Sequence, residues 1–207
     1  NQLVKTQRVV PTAMKFVDIA GLVKGASEGE GLGNQFLGHI RQVSAIIHVV
    51  RCFENIDVVH VESSVNPVRD IDTIETELCL ADMDIAQRAR TKTQKQMRSQ
   101  NNGQEIVDAW DEVIELLSNQ SFLREDNLSE VAWELCQSHQ LLMAKPMFYL
   151  ANCDESRTGT EVDMLEAYAQ KKGADVVKIC SQIEAEIAQL DPEDQQEFLE
   201  EVGLEEP

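Results

Sequence analysis

With 207 residues, 43% of them apolar and 27% charged, the chain holds enough hydrophobic material for one good core, or one core and an appendage. A formal net charge of −19 argues against global attraction to nucleic acid or an anionic membrane, while leaving room for a local basic patch. Five scattered cysteines without a CxxC pair predict reduced thiols in a cytosolic protein rather than a disulfide framework or zinc site, and no signal peptide or apolar run of roughly 18 residues points to export or membrane insertion.

The chain opens at Asn1 without a methionine and runs almost at once into strand-like sequence, so it is expected to be an internal portion of a longer protein. Residues 13–18 predict a strand that delivers Asp18 at its carboxyl end, with Gly21 three residues on. An aspartate there can hold the water shell of a Mg²⁺ ion, and the glycine lets its backbone N–H approach a terminal phosphate. Gly25, Gly29, Gly31 and Gly33 follow every two to four residues, which predicts a loop able to rearrange as a nucleotide-sensing switch must. A helix is expected over 34–43 with Phe36, Leu37, Ile40 and Val43 inward, then a buried strand over Ala45–Phe53.

From Ile71 the apolar positions run Ile71, Ile74, Leu78, Ala81 and Ile85, spaced by three and four. The pattern crosses a polar turn, Ser99–Gly103, and resumes with Val107, Trp110, Ile114 and Leu117, predicting an antiparallel helical hairpin. A helix over Leu128–Leu142 leads to strands at Pro146–Ala151 and Val176–Cys180, with a helix over roughly 161–172 between them. Strands separated by helices imply an α/β fold, a mostly parallel sheet covered on both faces. Four segments follow: 1–70 and 143–190 make the sheet domain, 71–142 is an inserted helical, coiled-coil-like arm, and 191–207 is an acidic helix. Pro192 after Asp191 fits the start of that helix, which carries no Lys or Arg and reads as a solvated amphipathic segment.

Arg88, Arg90, Lys92, Lys95 and Arg98 cluster at the hairpin tip, with no acid between Asp84 and Glu105. The cluster reads either as a solvated helix end or as a contact for a phosphate backbone such as ribosomal RNA. Two further signals lie at strand ends. Asn152, in Tyr149-Leu-Ala-Asn152-Cys-Asp-Glu155, can both donate to and accept from a purine edge. Cys180-Ser181-Gln182-Ile183-Glu184 predicts a loop whose backbone N–H groups can face a base. Gly29-Glu-Gly31-Leu-Gly33 suggests a dinucleotide fingerprint, but the last glycine of G-x-G-x-x-G would fall at Asn34 or Phe36, and the loop lies far from the preceding strand.

Asp18-Ile-Ala-Gly21-Leu-Val-Lys-Gly25-Ala with its trailing glycines resembles the Obg-related P-loop nucleotide hydrolases of the TRAFAC class. Ala20 and Lys24, with His48–Glu54, Thr76–Asp82, Lys145-Pro146 and Gly203–Pro207, make the resemblance closest to the YchF, or Obg-like ATPase, family. It covers essentially the whole chain and implies a partial G-domain. In that family Asp18 reaches Mg²⁺ through water and Gly21 senses the γ-phosphate. Leu22 stands where Ras-type enzymes carry a water-positioning Gln. Asn152, Cys153 and Glu155 would be the base-recognition motif, with Cys153 replacing the Lys and Glu155 the Asp of a guanine-reading Asn-Lys-x-Asp. Ser181, Gln182 and Ile183 would form the last base-side loop. The resemblance thus implies ATP as substrate with GTP weaker, Mg²⁺ as cofactor, and slow hydrolysis. It also implies a cytoplasmic role on the ribosome, in translation or stress response, with no DNA or membrane partner. The phosphate-binding Gly-x-x-x-x-Gly-Lys-Ser/Thr occurs nowhere in this sequence, and the family's C-terminal TGS domain is absent, so this chain alone is expected to be inactive. The rival expectation is a non-catalytic interaction module that presents its helical arm to a ribosomal or protein partner.

Overall fold

Apolar runs rich in β-branched or aromatic residues, Ile and Val in the first and third and Phe and Tyr in the second, end up as three short strands in one parallel sheet, ordered β1-β2-β3. The computed structural model describes residues 13–19, 32–55, 64–96, 103–191 and 194–195. β1 is Ile46–Arg51, β2 is Met147–Asn152 and β3 is Val176–Ile179. The register pairs Arg51 with Asn152 and Asn152 with Ile179, so the three carboxyl ends lie level. Bonds from the Cys52 N–H to the Asn152 carbonyl and from the Cys153 N–H to the Ile179 carbonyl, both 2.8 Å, carry the ladder one residue further.

The helices are α1 (Leu32–Gln42), α2 (Pro67–Gln96), α3 (Gly103–Ser118), α4 (Glu130–Ser138), α5 (Thr160–Lys172) and α6 (Ser181–Ile187). α2 begins where Pro67, which has no N–H to waste, follows Asn66, whose side chain accepts the Arg69 N–H at 3.0 Å. α5 carries Glu161 and Asp163 in its first turn and Lys171 and Lys172 in its last, complementing the helix dipole. It stops at Gly173, whose φ of 61° a side chain rarely adopts.

α2 and α3 run antiparallel. Arg90 pairs with Asp111 near one end and Gln120 Nε2 donates to Thr76 Oγ1 at 3.2 Å near the other. Trp110, Val113 and Leu117 of α3 are buried with Ile71 and Leu78 of α2 in the same core as Tyr149 and Ala151 of β2. The whole β1–β2 connection therefore passes through the hairpin and α4 before the sheet resumes.

Several expectations from sequence need correction. The run 13–18 is not a strand: it has no ladder partner among the described residues, and Met14, Phe16 and Val17 are exposed. Helix 128–142 is shorter, because Ser129 caps it through the Ala132 N–H at 3.3 Å and Gln140 turns left-handed at φ 52°; a 3-10 turn, Leu142–Ala144, follows. The parallel sheet covered by helices is as expected, and among the described residues α2 and α5 lie on one of its faces. Tyr149, Ala151 and Cys153 are buried beneath α2 and α5, while Val49 and Val177 on the alternate face are 61% and 45% exposed. The polar turn at 99–102 and most of 191–207 lie outside the described residues.

Candidate functional site

At the level carboxyl ends of the strands, the side chains expected to read a base come together. Asn152 closes β2, and its Oδ1 accepts the Ser181 N–H at 3.1 Å. Its own carbonyl accepts the Cys52 N–H, so both its backbone and its side chain are oriented by neighbouring segments. The expected loop at 180–184 is instead the first turn of α6, with Glu184 N–H bonded to the Cys180 carbonyl at 3.0 Å. A helix start leaves its first N–H groups without helical partners, so the N–H donors expected of a loop are present there for a helical reason. Ser181 spends its donor on Asn152, and the Ile183 side chain is buried with Cys180 and Ile187.

The turn after Asn152 is built by Asp154. Its Oδ1 accepts the Ser156 N–H at 3.1 Å and the Ser156 hydroxyl at 2.6 Å, and its carbonyl accepts the Arg157 N–H at 3.1 Å. Asp154 Oδ1 is thus spent on shaping the turn, and Glu155 beside it is exposed. Cys153 differs from its expected role. Its side chain is turned inward, 3% exposed, with Sγ donating to the Ala151 carbonyl at 3.3 Å, so it does not offer a surface for a base to lie on. Burial pushes its thiol pKa up, and pushes that of the neighbouring Cys52 up to about 12.

Asp18 is exposed near the end of the run 13–19, next to the half-buried Ile19. Gly21 and Leu22 lie outside the described residues, as does Arg98. Among the described residues no group of three or more His, Cys, Asp or Glu is arranged to hold a metal ion. Among the described residues the donor set fits one outer contact, from Asp18 to a hydrated Mg²⁺.

On α2, Arg88, Lys92 and Lys95 are spaced by four and three and share one exposed face. Arg88 pairs with Asp84 at 2.8 Å. Arg90, expected with them, instead crosses to Asp111 of α3, and that bond holds its pKa up and lowers that of Asp111.

Sequence reasoning missed the polar ties that root α2. Glu75, fully buried, accepts the Tyr149 hydroxyl on Oε1; Oε2 accepts Lys172 Nζ at 3.0 Å and the Tyr168 hydroxyl at 3.1 Å. Asp82, also fully buried, accepts Arg41 Nη1 of α1 at 3.2 Å and the Met143 N–H at 2.8 Å. Burial raises the Asp82 pKa against the opposing pull of those donors. The signal was visible: both acids fall within the apolar stripe, at 71, 75, 78 and 82, where a solvated helix would not place them.

An open cavity of about 350 Å³ lies at the opposite, amino edge of the sheet, lined by Trp133, Met143, Pro146, Met147 and Asp175 among others. Parallel sheets bind ligands at their carboxyl ends, and the polar residues with recognition chemistry converge there, so the carboxyl edge is the candidate site.

Comparison with known proteins bears on that edge. The model of the 50S ribosome-binding GTPase family matches residues 2–152. The chain is 44% identical over 209 residues to the ribosome-binding ATPase YchF of Pasteurella multocida, and 45% identical over 209 residues to that of Escherichia coli O157:H7. It is 42% identical over 214 residues to the Bacillus subtilis protein of the same name. These alignments take in 99–100% of this chain but 58% of each relative, so the chain spans little more than half their length. The solved structure of the Schizosaccharomyces pombe YchF GTPase superposes with a TM-score of 0.76 at 28% identity, covering 90% of this chain and 53% of that one.

Proposed function

Because the chain belongs to the YchF branch of the 50S ribosome-binding GTPases, we propose that the full-length protein is an ATP-binding, ATP-hydrolysing P-loop switch acting on the ribosome. The observation that carries this reading is the Asn152–Ser181 bond, which joins the Asn-x-x-Glu turn to the start of α6 at the carboxyl edge. Asn152 is held by it, Glu155 is exposed beside it, and the first turn of α6 closes the far side.

ATP is preferred to GTP in this reading. Guanine recognition in the related Asn-Lys-x-Asp motif uses an aspartate that accepts two N–H groups, and here the longer Glu155 stands at that position. Losing a two-point bond of that kind removes about 2–3 kcal/mol of discrimination. The inward-turned Cys153 supplies no aliphatic stem along the base. Asp18 would contact the water shell of Mg²⁺, which supplies charge neutralisation on the phosphates when bound. Gly21 would sense the γ-phosphate. The Leu22 side chain has no polar atom, so the attacking water is oriented by a group other than residue 22.

The helical arm over 71–142 serves as the partner-facing element between the two parts of the G-domain, 1–70 and 143–190. Arg88, Lys92 and Lys95 form the contact with ribosomal RNA. The protein works in the cytoplasm, in translation or stress response.

The test is equilibrium binding of a fluorescent ATP analogue to the full-length protein, competed by unlabelled ATP and GTP. Preference for ATP that Asn152→Ala weakens is the expected result. Preference for GTP would overturn the role of Glu155. Binding of neither would sink the hydrolase reading and leave an interaction module. A charge-reversed Lys92→Glu/Lys95→Glu protein should bind ATP normally and cosediment less with ribosomes.

A further inference from the structure

We propose that Arg157 is a nucleotide-contacting residue, its guanidinium donating to a neutral acceptor on the base or ribose; the proposal rests on the reading of the carboxyl edge as a purine site. Three observations converge on this side chain. First, its backbone is left-handed at φ 53°, one of only three non-glycine residues with positive φ among those described. A side chain in that region costs about 1–2 kcal/mol, and such outliers collect where a turn must aim a residue at a ligand. Glycine would adopt this conformation without strain, so the position carries a side chain at a cost.

Second, Nη2 of Arg157 is shielded from solvent and has no hydrogen-bond partner among the described residues. Buried N–H donors are nearly always satisfied, and an arginine brings five of them. The nearest opposite charge, Glu184 Oε1, lies 3.6 Å from Nη2, close enough to pair but too far for a hydrogen bond.

Third, the pair spans the site. Arg157 stands two residues after Glu155, and Glu184 stands in the first turn of α6, three residues after the Ser181 whose N–H holds Asn152. The turn is therefore joined to α6 at two points, Asn152–Ser181 and Arg157–Glu184, with Glu155 between them in the chain. Glu184 offsets the arginine charge, which makes the remaining donor suited to a neutral ring nitrogen or ribose oxygen rather than to a phosphate.

The test measures affinities of the full-length protein for ATP and for adenosine, each by competition against a fluorescent ATP analogue, in Arg157→Ala, Arg157→Lys and Glu184→Gln. A donor to base or ribose predicts that Arg157→Ala weakens both ligands by the same factor, about tenfold, and Arg157→Lys by less. Glu184→Gln, which keeps the donor and removes the pair, should change both by less than about twofold. A loss for ATP with none for adenosine would mean a phosphate contact and overturn the proposal. So would equal losses in Arg157→Ala and Glu184→Gln, the mark of a structural pair, or no loss in Arg157→Ala. Should Arg157→Ala fail to fold, Arg157→Lys decides, since it preserves the charge opposite Glu184. Failure of the unaltered protein to bind either ligand would instead overturn the purine-site reading and this proposal with it.

Discussion

Replacing Tyr149 by Phe tests how α2 is rooted on the sheet. Glu75 is fully buried and its two oxygens are served unequally. Oε1 has one partner, the Tyr149 hydroxyl, whereas Oε2 has two, Lys172 and Tyr168. Tyr149→Phe leaves Oε1 without a donor in a place water does not reach, so it forfeits the bond and the full desolvation cost of that oxygen, about 2–3 kcal/mol. Tyr168→Phe removes a bond that Lys172 backs up. Its better acceptor, Asp72 at 2.7 Å, is only half-buried and can turn to solvent, so the cost is about 1 kcal/mol. Urea unfolding, followed by the fluorescence of Trp110 and Trp133, measures both. With a slope of about 2–3 kcal/mol per molar urea, the Tyr149 variant should unfold about 1 M earlier and the Tyr168 variant at less than half that shift. If the Tyr168 variant loses as much as the Tyr149 variant or more, the unequal service of the two oxygens is not what holds the root together.

Asp82 should make stability depend on pH. Its folded pKa is raised above the unfolded carboxyl value of about 3.9, so the native state binds the extra proton between the two. That contribution is full below the unfolded value and lost as pH rises through the folded one. The urea midpoint of the unaltered chain should therefore exceed that of Asp82→Asn by more near pH 4 than near pH 7.5, and a gap that widens with pH would refute the assignment. Gly173→Ala should destabilise by about 1–2 kcal/mol in thermal melting, because φ is 61° and the new Cβ would lie 2.9 Å from Arg124 Nη1, on a guanidinium whose Nη2 already donates to the Lys172 and Gly173 carbonyls. All five cysteines are free and buried, and burial pushes Cys52, Cys79 and Cys136 up to about 12. A thiol-specific disulfide reagent near neutral pH should thus react slowly with the native chain and quickly with five thiols once urea is added.

Periodicity was enough to find α1 to α5 and the three strands, though not α6, because burial of one face imposes a repeat that local sequence must obey and seven residues are too few to show it. The apolar spacing from Ile71 to Leu117 marked both helices of the hairpin, and the runs ending at Arg51, Asn152 and Ile179 marked the sheet. The motif Asn-x-x-Glu was legible too, since its identity lies in consecutive residues. Strand pairing was not. Residues 13–18 have a strand's composition, but a strand exists only against a neighbour's backbone, and no described neighbour meets them. Long-range polar partners were equally hidden. Their place in the apolar stripe marks Glu75 and Asp82 as buried, but nothing local names their partners: Tyr149 and Lys172, or Arg41 and the Met143 N–H, arrive from 41 to 97 residues away. The inward turn of Cys153 and the satisfaction of Asn152 by Ser181 belong to the same class. By itself the sequence determined which residues have side chains capable of recognition chemistry; the tertiary structure decided which of them lie exposed at the strand ends and which are spent on the fold, because burial and pairing depend on segments distant in the chain.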